Sequence, residues 1–304
     1  MKLEHPLMNA AGTVKDLAGV ERMARSPASA IVLGSITVKA RGGNSGEVYH
    51  SGDGYSINSL GMPNPGIERL ERDLPRMVEV AHASGKKLIV SVAGFSPEEF
   101  AALTRVAILG GADMVELNFG CPNIWEGEGG TQKRIIAFSP RELARTLAAV
   151  ENCGAAVETT PTSVKLSPYS DPYVLGMSAE TLNRYAFVNA VTVCNTFPNA
   201  FAWDDDLLKG AIDPAGGLGG LGGAAMKPIA LGQIIQLRQH LDKRIQIIGA
   251  GGIRSGRDIQ EFLAAGANAV QIATHFMERG EERSFGSLLV QMLELEDLTF
   301  RTVS

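Results

Sequence analysis

The chain has little cysteine, no long apolar run and no basic block, and each shortage removes a class of protein. Cys121, Cys153 and Cys194 are its three cysteines in 304 residues. They are too few for a disulfide framework, and their spacing suits neither a zinc site nor an iron-sulfur cluster. A redox role must then use an organic cofactor or a partner. Hydrophobic residues make up 45% of the chain, yet no uninterrupted apolar stretch reaches the roughly eighteen residues of a membrane span. The first residues, Met1 to His5, are charged and run straight into a strand pattern rather than a leader, so a cytoplasmic location with no membrane contact is expected. A net charge of −5 without a lysine or arginine cluster argues against a nucleic-acid surface.

What is present is an alternation. Eight β-branched runs, near residues 6–11, 30–38, 87–93, 114–119, 163–166, 190–195, 245–249 and 269–273, are separated by stretches with apolar residues three and four apart, such as Leu143, Leu147 and Val150. Ser96-Pro97, Ser139-Pro140 and Ser178-Ala179-Glu180 offer helix caps. Eight βα units predict an α/β fold of the (β/α)8 TIM barrel type, with residues 1–304 as one domain. An open doubly wound sheet would show fewer strands and a glycine fingerprint after the first, which Ala10-Ala11-Gly12-Thr13 is not. Residues 42–54 and 124–138 read as extended βα loops, where this architecture carries function.

Polar residues fall where such strands end. Asn118-Phe119-Gly120-Cys121-Pro122-Asn123 sets a thiol between carboxamides just after the fourth run; amides and a thiol of lowered pKa could hold a flat, amide-rich ring against a base. Lys165 interrupts the apolar Val164-Lys165-Leu166, a place for an ammonium only if it points into a cavity. Lys15 follows the first run, and Asn195 with Thr196 ends the sixth. Asn58 and Asn195 taken singly would be ordinary turn formers, and Cys153 and Cys194 ordinary buried hydrophobes. Two glycine-rich turns, residues 216–223 before a helix and Gly249-Ala250-Gly251-Gly252 after the seventh run, suggest a phosphate site to which Thr274 adds a hydroxyl.

Six motifs in order carry a resemblance. Asn9-Ala10-Ala11-Gly12, the run from Ser56 to Asn64, Asn118 to Asn123, Val164-Lys165-Leu166, residues 219–223 and residues 247–252 together resemble the dihydroorotate dehydrogenases over nearly the whole chain. The resemblance implies an FMN-containing barrel that oxidises dihydroorotate to orotate in pyrimidine biosynthesis. It further implies Cys121 as the base of the soluble class and Lys165 at the flavin. Lys15, Asn58, Leu60, Gly61, Met62, Asn118, Asn123, Asn195 and Thr196 would bind substrate. Ala11, Gly12, Ser35, Asn118, Lys165, Gly223, Gly251, Gly252, Ala273 and Thr274 would bind FMN. Residues 219–223 followed by Lys227-Pro228 look like the homodimeric, fumarate-using class 1A. Departures from the pattern are as informative. Gly34 stands where the soluble class has a strand-two lysine, and Lys15 is expected to replace it. Gly120 stands where that class often has serine, and Ala273 where it often has glycine. The loop 124–138, with Trp125, Glu126, Glu128 and three glycines, diverges; it reads as a hinged lid whose acidic residues affect access for an anionic substrate. Two alternatives stay open: a related FMN oxidoreductase acting on another pyrimidine or activated double bond, and a non-catalytic flavin-binding paralogue.

Overall fold

The computed structural model describes residues 1–126 and 131–303. Eight parallel strands form the barrel: β1 (Leu7–Asn9), β2 (Ala30–Ile36), β3 (Lys87–Val92), β4 (Met114–Asn118), β5 (Thr162–Lys165), β6 (Val188–Val193), β7 (Gln246–Ala250) and β8 (Ala269–Ile272). They lie in the order β1-β8-β7-β6-β5-β4-β3-β2, so from β2 to β8 every strand neighbours the next in sequence and β8 returns to β1. The outer helices are α1 (Leu17–Arg25), α2 (Ile67–Ala83), α3 (Pro97–Leu109), α4 (Pro140–Glu151), α5 (Pro172–Asn183), α6 (Lys227–His240), α7 (Gly256–Ala264) and α8 (Glu281–Val303). This is the expected (β/α)8 barrel.

The two-residue period of a strand sorts its side chains. Val164 packs in the core between strands and helices together with Leu117, Val191 and Ile247. Facing the axis, Met8, Ala30, Val32, Ile89, Met114, Ala190, Ile248 and Ala269 plug the barrel floor. A polar layer follows in the same register two residues on: Ser91, Glu116, Ser163, Thr192 and Gln271 are all buried. Oε2 of Glu116 accepts from Thr192 Oγ1 at 2.8 Å and from Gln271 Nε2 at 2.9 Å. One more step along β4 and β5 brings Asn118 and Lys165 to the mouth.

The seam between β1 and β2 has no ladder of its own. Asn9, fully buried, stands in for a peptide group there: its Nδ2 donates to the Val32 carbonyl and its Oδ1 accepts from the Val32 N–H, both at 2.8 Å. Asn9→Leu would strand both Val32 groups, and we expect it to destabilise the protein by about 2–4 kcal/mol in urea unfolding. A loss below about 1 kcal/mol would mean that β1 and β2 can pair without it.

Ser96 and Ser139 cap α3 and α4 as expected, each accepting from the N–H three residues on. The Ser178 cap is not one. α5 begins six residues earlier, with Asp171 accepting from the Tyr173 N–H and Pro172 in the first turn; Ser178 is buried on the helix face beside Leu175, Ala179 and Leu182. The long loops also hold structure of their own. Tyr49–Gly52 and Tyr55–Asn58, from the β2–α2 connection, pair antiparallel with Gly219–Gly222 and Phe197–Ala200, from the β6–α6 connection. So residues 216–223 are not one phosphate turn: a 3-10 turn (Pro214–Gly217) leads into a strand, and Gly223 follows it. In the divergent loop, Trp125–Glu126 pairs with Thr131–Gln132, and a 3-10 turn follows at Ile136–Phe138. The hinge glycines Gly127, Gly129 and Gly130, Glu128 and the side chain of Glu126 lie outside the described residues. Among the described residues, no helix is long and apolar enough to cross a membrane.

Candidate active site

The C-terminal ends of the strands surround a cleft of about 1100 Å³ including its open mouth. Every residue that the resemblance assigns to catalysis, substrate or cofactor lines it. Ala11, Gly12 and Lys15 come from the β1–α1 turn and Ser35 from β2. Asn58, Leu60, Gly61 and Met62 descend from the antiparallel roof. Asn118, Cys121 and Asn123 follow β4, Lys165 ends β5, and Asn195 with Thr196 follows β6. Gly223, Gly251, Gly252, Ala273 and Thr274 close the far end.

The carboxamides form a frame of two hydrogen-bonded pairs. Asn123 Nδ2 donates to Asn58 Oδ1 at 2.9 Å, Asn195 Nδ2 to Asn118 Oδ1 at 3.1 Å, and Asn118 Nδ2 to Ser35 Oγ at 2.8 Å. Each bond fixes the plane of an amide and so the direction of its free atoms. The hairpin beyond Cys121 is pinned above this frame: Trp125 Nε1 donates to Ser59 Oγ at 3.1 Å and Gln132 Nε2 to the Pro122 carbonyl at 2.7 Å.

Cys121 sits half-buried among cations. Burial pushes its thiol up; the Asn123 N–H and the ammonium groups of Lys15, Lys133 and Lys165 pull the other way. The sequence reading called for a lowered pKa, and here burial outweighs the cations. Lys15 is itself depressed to about 8, by burial first and then by Lys165, against the opposing pull of Cys121. Its Nζ donates to the carbonyl of Gly34 at 3.2 Å, so an ammonium reaches the very residue that lacks the strand-two lysine. Gly34 cannot carry that side chain: with φ +110° its Cβ would lie 2.3 Å from the Ser91 carbonyl oxygen. Gly120 is constrained likewise, since a Cβ there would come 2.7 Å from the Leu166 backbone. Both departures from the family pattern thus follow from close backbone approach.

Several groups here have no partner among the described residues, and they outline a ligand. Lys165 is 5% exposed, yet its ammonium has no hydrogen bond or ion pair. Asn123 Oδ1 and Gln271 Oε1 are buried and unpaired. At the far end, the N–H groups of Gly251 and Gly252 have no acceptor. Buried polar groups are rarely left so. A cation and amide acceptors at one end and free N–H groups at the other fit a flat, amide-bearing ring with a phosphate tail, as a flavin mononucleotide has.

The sequence reading missed some of the lining. Cys194, taken as an ordinary buried hydrophobe, lines the cleft, and burial pushes its thiol up to about 12. Its place directly before Asn195 was the available signal. Gln271, Arg254 and His275 also line it. Gln271 was hidden in a strand, and Arg254 and His275 flank recognised motifs without a pattern of their own.

Fold and site together define a (β/α)8-barrel oxidoreductase with its chemistry at the strand ends. The dihydroorotate dehydrogenase family model matches residues 1–285, and the chain belongs to that family, whose members depend on a flavin. It is 35% identical over 292 residues to "Dihydroorotate dehydrogenase B (NAD(+)), catalytic subunit" of Methanopyrus kandleri, covering 94% of this chain and 85% of that one. It is 34% identical over 287 residues to "Probable dihydroorotate dehydrogenase A (fumarate)" of Enterococcus faecalis, covering 92% and 87%.

Proposed function

We propose that the chain is an FMN-dependent dihydroorotate dehydrogenase that passes its electrons to fumarate. The observation that carries the reading is Lys165, a buried ammonium with no partner among the described residues, lining one cleft with Cys121 and four asparagines. When bound, FMN supplies at N5 the acceptor for the hydride leaving C6 of dihydroorotate. The protein does the rest. Cys121, as thiolate, takes the proton from C5, so that hydride and proton together leave the ring double bond of orotate. Asn58, Asn118, Asn123, Asn195 and Thr196 hold the ring amides and carboxylate, with the backbone of Leu60, Gly61 and Met62 closing the pocket. Lys165 would offset the negative charge that reduction gathers on the flavin. Lys15 takes the place of the strand-two lysine, serving substrate and cofactor from the β1 side. Ala11, Gly12, Ser35, Gly223, Gly251, Gly252, Ala273 and Thr274 hold the FMN.

Fumarate is favoured over NAD by residues 219–223 and Lys227-Pro228, and a homodimer by the exposed Phe201, Trp203, Leu207 and Leu208 on one excursion after β6. We infer that a second copy covers this patch; light scattering reads the mass directly, and a monomer would remove this part. The deciding experiment is anaerobic mixing of the flavin-loaded protein with dihydroorotate. Bleaching of the flavin absorbance is expected, followed by reoxidation faster with fumarate than with NAD or a quinone. An unbleached flavin would sink the substrate, and faster reoxidation by NAD or quinone would sink the acceptor.

A further inference from the structure

We infer that Arg254 and His275 bind the phosphate of the cofactor, adding two side-chain contacts to the backbone cradle. The inference rests on the FMN reading above and asks which groups meet the phosphate charge. A phosphate monoester carries close to two negative charges at neutral pH, and the N–H groups of Gly251 and Gly252 are neutral donors.

Three cations lie nearby, and they differ in availability. Lys227 is engaged by both Asp258 and Glu261, the latter at 2.6 Å. Arg279 acts on His275 but does not line the cleft. Arg254 does line it, and its guanidinium has no carboxylate partner among the described residues. Asp258 is the obvious candidate partner, but its oxygens are already taken. They accept from Lys227, from the N–H groups of Arg254 and Ser255, and from Ser255 Oγ. That same Asp258 bond, 2.9 Å to the Arg254 N–H, fixes the backbone from which the free guanidinium projects.

His275 supplies an independent observation. It lines the same cleft next to Thr274, is only 6% exposed, and its buried Nε2 has no partner. Burial holds the imidazole below its usual range. Arg279 and Arg254 push the same way, against Glu278 and Asp258, so the ring is neutral at pH 7 and its Nε2 can donate as N–H. A phosphate oxygen would satisfy that nitrogen and the guanidinium together. Thr274, whose Oγ1 lies 3.0 Å from Ser56 Oγ, ties this end of the cleft to the roof.

Riboflavin has the same ring system and lacks the phosphate, so it separates a phosphate contact from a general effect on the pocket. Apo-protein is titrated with FMN and with riboflavin, following flavin fluorescence. Arg254→Ala is expected to weaken FMN about 10- to 100-fold and leave riboflavin unchanged. His275→Leu should also weaken FMN alone, and His275→Gln, which keeps a donor, should recover most of the loss. Arg257→Ala, on the neighbouring helix and paired with Glu261, should alter neither ligand. Equal losses for FMN and riboflavin, or FMN binding indifferent to Arg254→Ala and His275→Leu, would overturn this inference alone. A wild-type protein that binds neither flavin would overturn the cofactor reading and this inference with it.

Discussion

Replacing Cys121 with alanine is expected to slow flavin reduction by dihydroorotate about 10²- to 10⁴-fold, the range for loss of a positioned base, while the protein keeps its FMN. Apart from Asn118, the cofactor residues lie at the other strand ends, and none of the hydrogen bonds of Asn118 involves the sulfur. A pH profile carries more information than the single variant. Burial raises the Cys121 thiol, so the rate should climb with pH as the thiolate forms. Lys15, depressed to about 8, is one of the charges that act on Cys121. The observed midpoints therefore belong to the pair rather than to either residue. Removing the ammonium with Lys15→Ala takes away one of the attractions that favour the thiolate, so the rising limb should move to higher pH. A Cys121→Ala enzyme within a few-fold of wild type would discard the base, and an unmoved limb in Lys15→Ala would discard its coupling to Lys15.

The parts of this architecture that could be read from sequence are those written in local periodicity. Eight β-branched runs located the barrel strands to within a residue or two at most ends, and the ammonium of Lys165 stood out because its neighbours Val164 and Leu166 are fully buried. The roof was not legible. Tyr55–Asn58 pairs with Gly219–Gly222 across a long stretch of chain, and a glycine-rich strand has neither the alternation nor the β-branched residues that announce one. Its glycines are needed where a Cβ on Gly220 would meet Thr196 Oγ1 at 2.0 Å, a contact no local pattern displays. Cys194 was misjudged because Val191-Thr192-Val193-Cys194 reads as apolar strand, and which face meets the cleft depends on register. The direction of the Cys121 shift was missed for a related reason: nearby lysines are visible as letters, whereas desolvation depends on the packing around the sulfur.

The second large effect is expected at Lys165, and its two readouts should move in opposite directions. Lys165→Met should slow flavin reduction about 10²- to 10³-fold, as loss of a preorganised charge does, and should raise the melting temperature of the apo-protein. The chemical loss follows from the place of the ammonium at the end of β5, where it lines the same cleft as Cys121. The stability gain follows from its isolation. Lys165 is buried with no hydrogen bond or ion pair among the described residues, and Glu116, the carboxylate of the layer below, accepts through Oε2 from Thr192 and Gln271 without pairing with it. An unpaired buried charge destabilises a fold, and methionine fills a similar volume without one. FMN should reverse part of the difference, because the wild-type ammonium gains its partner on binding and methionine cannot; the stabilisation that FMN confers should therefore be smaller in the variant. A Lys165→Met apo-protein that melts lower than wild type would make this residue a structural support. Unchanged reduction kinetics would detach it from the chemistry.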